Sequence, residues 1–235
     1  MNYCVLNGQK STFVNGLLIQ SLPPISKPLM RTQIEEIDGR DGDIVTKLGF
    51  SAYDKEMSIG LRNDFDIDEV IAYFDSEGQV IFSNEPDKYY RYQIIDQIDF
   101  ERLLRYRTAT VTFHVQPFKY SAIDQSISKT FASGDEKTMS VTNFGNTNSK
   151  PQITITGSGT VTLTLNGAQL FTIEMGDIGY ITLDAEKMEA SQGGILRNRL
   201  VTGDYDNFVF QTGSNVLTWT GTVTEISISN YSRWI

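Results

Sequence analysis

Strict alternation of apolar and polar residues runs through the second half of the chain. In "QITITGSGTVTLTLNG", Ile153 and Ile155 alternate with Thr154 and Thr156, and Val161, Leu163 and Leu165 with Thr162 and Thr164. A period of two marks strands with one buried and one wet face. Gly157-Ser158-Gly159 predicts a turn between two such strands, and Asn166-Gly167 predicts a tight hairpin. The stretches "LFTIEM", "YITLD", "NFVFQTG", "NVLTWTG" and "VTEISISN" read as further short strands. Short strands with turn residues about every 8 to 12 positions predict a β-sandwich of the jelly-roll or lectin-like kind.

The first half is mixed. "FDIDEVIAYFDSEG" predicts one short amphipathic helix: Asp66 is the N-cap, Glu69 follows three residues on, and Ile67, Val70, Ile71 and Phe74 recur at helical spacing. In "RTATVTFHVQPF", Ala109, Val111, Phe113 and Val115 alternate on one face, and "YYRYQIIDQIDFERLLRYRTATVTFHV" reads as two long strands joined through "FERLLRY". The stretch 121–135 is polar and has no long apolar run, so the join between domains is expected there. The expected division is a β-rich N-terminal domain over 1–125 and a β-sandwich over 126–235, mainly β throughout.

At 235 residues the chain is long enough to bury a core without metal or disulfide support. The formal net charge is -9, and acids outnumber bases in both halves, so no basic lobe points to nucleic acid. The single cysteine, Cys4, excludes an intrachain disulfide and fits folding in a reducing compartment. It sits in the apolar run Tyr3-Cys4-Val5-Leu6 and is expected to be a small buried hydrophobe. The N-terminus does not read as a secretory signal, and no segment reaches the roughly 20 apolar residues of a membrane-spanning helix.

Candidate chemistry is sparse. His114 is the only histidine, and it alternates away from the apolar face of its strand. One histidine and one remote cysteine do not make a zinc site. Gly157-Ser158-Gly159 lacks the spacing and lysine of a phosphate loop. Asp204 and Asp206 are two carboxylates in a turn, a weak calcium signal. The densest polar stretch is "EIDGRDGDIV", Glu36 to Val45. A calcium loop read from Asp38 places Arg40 and Gly42 at ligand positions, and one read from Asp41 places Val45 at one, so neither register works. Arg40-Asp41-Gly42 is not the adhesive Arg-Gly-Asp order. The strand-like "QIEEI" and "DIVTKLGF" on either side make the stretch a hairpin turn that presents Arg40 outward. No catalytic residue, cofactor or metal is expected, and an enzyme is not.

Several stretches, taken in order, resemble the distal tail protein family of long-tailed phages that infect Gram-positive bacteria. They are "GRDG" after an early strand, "VIFSNEPDKYYRYQII", "ATVTFHVQPF", "NFGNTNSKPQITITGSGTVTLTLNG" and the closing "VFQTGSNVLTWTGTVTEISISNYSRWI". The resemblance implies a structural virion protein of the phage baseplate. Its N-terminal domain forms a homo-hexameric ring at the end of the tail tube, and its outer domain is a galectin-like β-sandwich. The implied partners are further copies of itself, the major tail tube protein, the tail-tip hub protein and other baseplate or receptor-binding proteins used for host attachment. Assembly in the host cytoplasm would fit the single cysteine. Arg40 is the expected subunit-interface residue. The competing reading is a carbohydrate-binding module that uses Trp219, Tyr231 and Trp234 against sugar rings.

Overall fold

The computed structural model describes residues 1–123, 126–229 and 231–235. The chain divides into two compact units, Met1–Ile123 and the chain from there to Trp234. The expected join at residue 125 falls next to residues 124 and 125, which lie outside those described. Both units are mainly β, and the described residues hold two α-helices.

In the first unit the strands are β1 (Cys4–Leu6), β2 (Gln9–Lys10), β3 (Leu17–Ser21), β4 (Met30–Glu36), β5 (Asp43–Phe50), β6 (Tyr53–Leu61), β7 (Glu77–Phe82), β8 (Lys88–Gln93) and β9 (Thr108–Ser121), with helices α1 (Ile67–Phe74) and α2 (Phe100–Tyr106). The main sheet runs β2-β1-β7-β8-β9-β6-β3, and β4 and β5 form a separate two-stranded sheet. The alternation of β9 decides which side is core. Ala109, Val111, Phe113 and Val115 are buried, and Phe82 and Tyr92 pack edge-on to Phe113 with ring centres 5.4 and 5.3 Å away. Helix α1 starts as its sequence predicts: Asp66 Oδ1 accepts from the amides of Asp68 (3.0 Å) and Glu69 (3.3 Å). It buries Val70, Tyr73 and Phe74. "FERLLRY" is not a mere connector between strands but the second helix. Asp99 caps it by accepting from Arg102 N at 2.8 Å, Leu103 is its one buried residue, and Arg107 closes it in the left-handed region at φ 58°. Two turns are too short to show a helical period, which is why the pattern alone missed it.

The second unit contains β10 (Ile127–Thr130), β11 (Thr138–Asn143), β12 (Gln152–Leu165), β13 (Ala168–Gly176), β14 (Tyr180–Asp184), β15 (Glu189–Gln192), β16 (Ile195–Leu196), β17 (Val201–Gly203) and β18 (Gly213–Ser229). Two corrections to the sequence reading come from glycine. Gly157-Ser158-Gly159 is not a turn; β12 continues through it as one strand. Likewise "NVLTWTG" and "VTEISISN" are one strand, β18, bent at Gly221. β12 and β18 pair antiparallel along their length, with register shifts beside Gly157 and Ser158. A Cβ on Gly157 would lie 2.2 Å from the Thr222 carbonyl oxygen, and one on Gly221 2.2 Å from that of Thr160. The missing side chains let the two strands cross closely and bend together. The first half of β12 then pairs with β14, and its second half with β13. One sheet curls around a core that includes Ile153, Val161, Phe171, Phe208, Trp219 and Ile226. Asn166-Gly167 is a hairpin turn as expected, with φ of 50° and 85°. β10 lies inside the stretch read as polar linker; it is a short edge strand on β18, and only Ile127 of it is even half-buried.

A buried ionic group ties the first unit together. Lys119 Nζ, on β9, donates to Glu85 Oε1 at 2.8 Å, and the Tyr90 hydroxyl donates to Glu85 Oε2. Lys55 Nζ, on β6, donates to the Pro24 carbonyl at 2.7 Å. Burial alone would raise Glu85, but the hydrogen bonds from Lys119 and Tyr90 and the two ammonium charges outweigh it and hold the carboxyl below its usual range. Burial pushes Lys55 down to about 8, partly offset by the charge of Glu85. Lys119→Met would strand the Glu85 carboxylate and is expected to cost about 3–5 kcal/mol, with Lys119→Met/Glu85→Gln recovering part of it in denaturant titrations. The unfolded chain keeps a proton on Lys55 up to about 10.5, the folded chain only to about 8. Unfolding therefore takes up a proton across that window, and this group's contribution to stability rises with pH. Between pH 8 and 9.5, wild type should gain stability relative to Lys55→Met.

Candidate assembly surface

The hairpin of β4 and β5 carries the stretch that stood out in the sequence. Its register pairs Met30 with Phe50 at the base and Glu36 with Asp43 at the end, with a bulge between Arg31 and Thr32. The base is pinned. Ser51 N donates to Leu29 O at 2.9 Å, Phe50 packs edge-on to Phe118 of β9 at 5.8 Å, and the Tyr53 hydroxyl donates to Ser26 O at 3.5 Å. Outward from there every residue from Arg31 to Gly49 is exposed except Ile44, which is half-buried. Ile34 and Val45 face each other across the hairpin and are 58% and 51% exposed.

The loop at the end, Ile37 to Gly42, is a turn. Arg40 N donates to Ile37 O at 3.1 Å, and Gly39 and Gly42 take φ of 81° and 80°, which glycine adopts without strain. Arg40 thus lies in the turn that joins the two strands and is exposed. A shallow concavity there is lined by Glu36, Asp38, Arg40 and Asp43. Among the described residues no group of three or more His, Cys, Asp or Glu side chains is placed to hold a metal ion.

The other chemical candidates resolve into structure. Cys4 is buried, and burial pushes its thiol up. His114 Nδ1 lies 2.7 Å from Asp54 Oδ1, a cross-strand pair on the wet face of the sheet. Asp204 caps its own turn, accepting from Asp206 N at 2.8 Å and Asn207 Nδ2 at 2.6 Å. Trp219 packs against Phe131 with ring centres 4.6 Å apart, and both Trp219 and Tyr231 are buried, so neither offers a face to a sugar; Trp234 is half-buried. The sequence reading missed a second exposed patch, the outer face of α2. Leu104 and Tyr106 are 43% and 71% exposed there, beside Arg102 and Arg105. The Asp99 cap and the arginine in the last turn were the signals that could have found it.

A mainly β chain of two units with a displayed hairpin has the fold of phage distal tail and baseplate structures. The chain is similar over its full length to the SPP1 Dit (gp 19.1) protein, a paradigm of the hub adsorption apparatus in phages infecting Gram-positive bacteria, with 16% identity, a TM-score of 0.66 and all of both chains covered. It is also similar to a chain in the phage P2 baseplate in its activated conformation with Ca, with 9% identity, a TM-score of 0.51, all of this chain and 98% of that one. The same baseplate with Sr gives 9% identity and a TM-score of 0.51 over 97% of this chain and 98% of that one. No family model and no curated protein sequence matches the chain.

The turn chemistry predicts that millimolar calcium leaves the melting temperature unchanged and that a chelator does not lower it. Differential scanning fluorimetry with and without each checks this; a calcium-dependent rise of several degrees would mean that Asp38, Asp41 and Asp43 hold a cation.

Proposed function

We propose that this protein is a structural component of a phage virion, a distal tail protein that closes into a ring at the end of the tail tube and joins the tube to the hub and baseplate used for host attachment. The observation that carries the reading is the full-length fold likeness to SPP1 Dit. Surface chemistry supports it. Exposed large apolar side chains concentrate in the first unit, among them Phe13, Leu29, Ile34, Val45, Ile95 and Tyr106. Where such side chains cluster, as Ile34 and Val45 do on the hairpin, they offer a contact surface. A head-to-tail contact closes into a ring when the rotation per subunit divides the circle.

In this reading the first unit makes a homo-hexameric ring and the second, a galectin-like sandwich, stands outside it and carries other baseplate or receptor-binding proteins. The role needs no catalysis and no cofactor, and assembly takes place in the host cytoplasm. Arg40, displayed at the end of the hairpin, is a subunit-interface residue. The carbohydrate-binding alternative loses support from the burial of Trp219 and Tyr231.

Light scattering of the full chain over a concentration series, with electron microscopy of the particles, tests the reading. We expect rings. Arg40→Glu should shift them toward smaller species, whereas Lys187→Glu, in an exposed turn of the second unit, should not. Rings of unchanged mass and stability in Arg40→Glu would remove Arg40 from the interface. Limited proteolysis is expected to cut within 121–135 and release a fragment corresponding to the second unit.

A further inference from the structure

The hairpin of β4 and β5 is built in a way that its own chain does not complete. A two-stranded hairpin alone is marginal in water. This one places Glu36 directly opposite Asp43, a like-charge pair that destabilises a hairpin standing by itself. Glu35, Glu36, Asp38, Asp41 and Asp43 have no ion-pair partner among the described residues, and Ile34 and Val45 form an uncovered apolar spot in the middle of the arm. Read from its end inward, the arm is cationic at Arg40, anionic at Glu36 and Asp43, then apolar at Ile34 and Val45. The outer face of α2 carries groups of the complementary kinds. It bears the acids Asp99 and Glu101, the cations Arg102 and Arg105 and the apolar Leu104 and Tyr106, all of them exposed. Asp99, Glu101, Arg102, Arg105, Tyr106 and Thr108 line an open groove of about 570 Å³.

We infer that the arm of one copy docks on the α2 groove of a second copy, with Ile34 and Val45 covering Tyr106, and Glu36 and Asp43 meeting Arg102 and Arg105. The occupant is a copy of this chain because both halves of the complementary pattern are present in it. The two patches are different surfaces, so the contact is head-to-tail and can propagate from copy to copy. Arg105 now pairs with Glu101 at 2.9 Å across one exposed helical turn. Such a pair is weak enough to exchange for the arm's carboxylates. The docking supplies the cover that the hairpin lacks, so the arm is ordered by assembly. The inference rests on self-association through the first unit and adds which surfaces meet.

Two single substitutions in the full chain test it. Val45→Cys protein mixed with Tyr106→Cys protein should give a mixed disulfide dimer under mild oxidation. Neither alone should do so, and the wild type, whose one thiol is buried, is the blank. Arg102→Glu/Arg105→Glu should weaken association by about tenfold or more, and mixing it with Glu36→Lys/Asp43→Lys protein should restore it. Hydrogen exchange of 31–49 should slow on assembly. Chains that associate by light scattering but give no mixed dimer and no charge rescue would overturn the docking while leaving ring formation standing. Chains that stay monomeric at every concentration and give no mixed dimer would overturn both.

Discussion

One half-buried carboxylate, held by two buried lysines and a buried tyrosine, organises the first unit. Glu85 sits between Lys119 and Tyr90, and its loop also reaches the leg of the hairpin, since Asn84 Nδ2 donates to Pro23 O at 2.9 Å. Lys55 holds the neighbouring Pro24 carbonyl. A carboxylate this far withdrawn from water depends on its partners staying in place. The group therefore couples β6, β8 and β9 to the proline leg that leads into β4. The base of the hairpin inherits that rigidity through Phe50 and Ser51, while the rest of the arm has no support from its own chain among the described residues.

The two units use their apolar residues differently. The curled sheet of the second unit gathers Ile153, Leu163, Phe171, Trp219 and Ile228 into one closed core. Its bent strands, with glycines at the crossing, leave few large apolar groups outside, chiefly Phe144, Ile195 and Leu196. The first unit completes a core of its own and still shows apolar side chains on the hairpin, on α2 and near its N-terminus.

Much of the candidate site was legible. "QIEEI" and "DIVTKLGF" formed strands, the glycines between them made the turn, and Arg40 lies exposed in it. What the alternation could not tell is that neither face of this hairpin is covered. Ile34 and Val45 look like core positions in the sequence, because alternation marks a face as apolar without saying what packs on it. The α2 patch was not legible for a related reason: seven helical residues with one buried leucine carry too little periodicity to separate helix from strand.

By itself the sequence determined which side of most strands is apolar, because side-chain alternation is a local property of extended backbone, but it did not fix every strand: "NFVFQTG" makes only an isolated bridge at Phe210. It also determined the cap of α1, the Asn166-Gly167 turn and the absence of a disulfide, each of which depends on a few neighbouring residues or a count. Only the tertiary structure decided that Gly157 and Gly221 bend two long strands instead of ending four short ones. A glycine reads the same in a turn and in a bulge, and the strand facing it across the sheet makes the difference. Only the tertiary structure, too, left one hairpin out of every core, because cover comes from contacts between residues far apart in the chain, which no local pattern encodes.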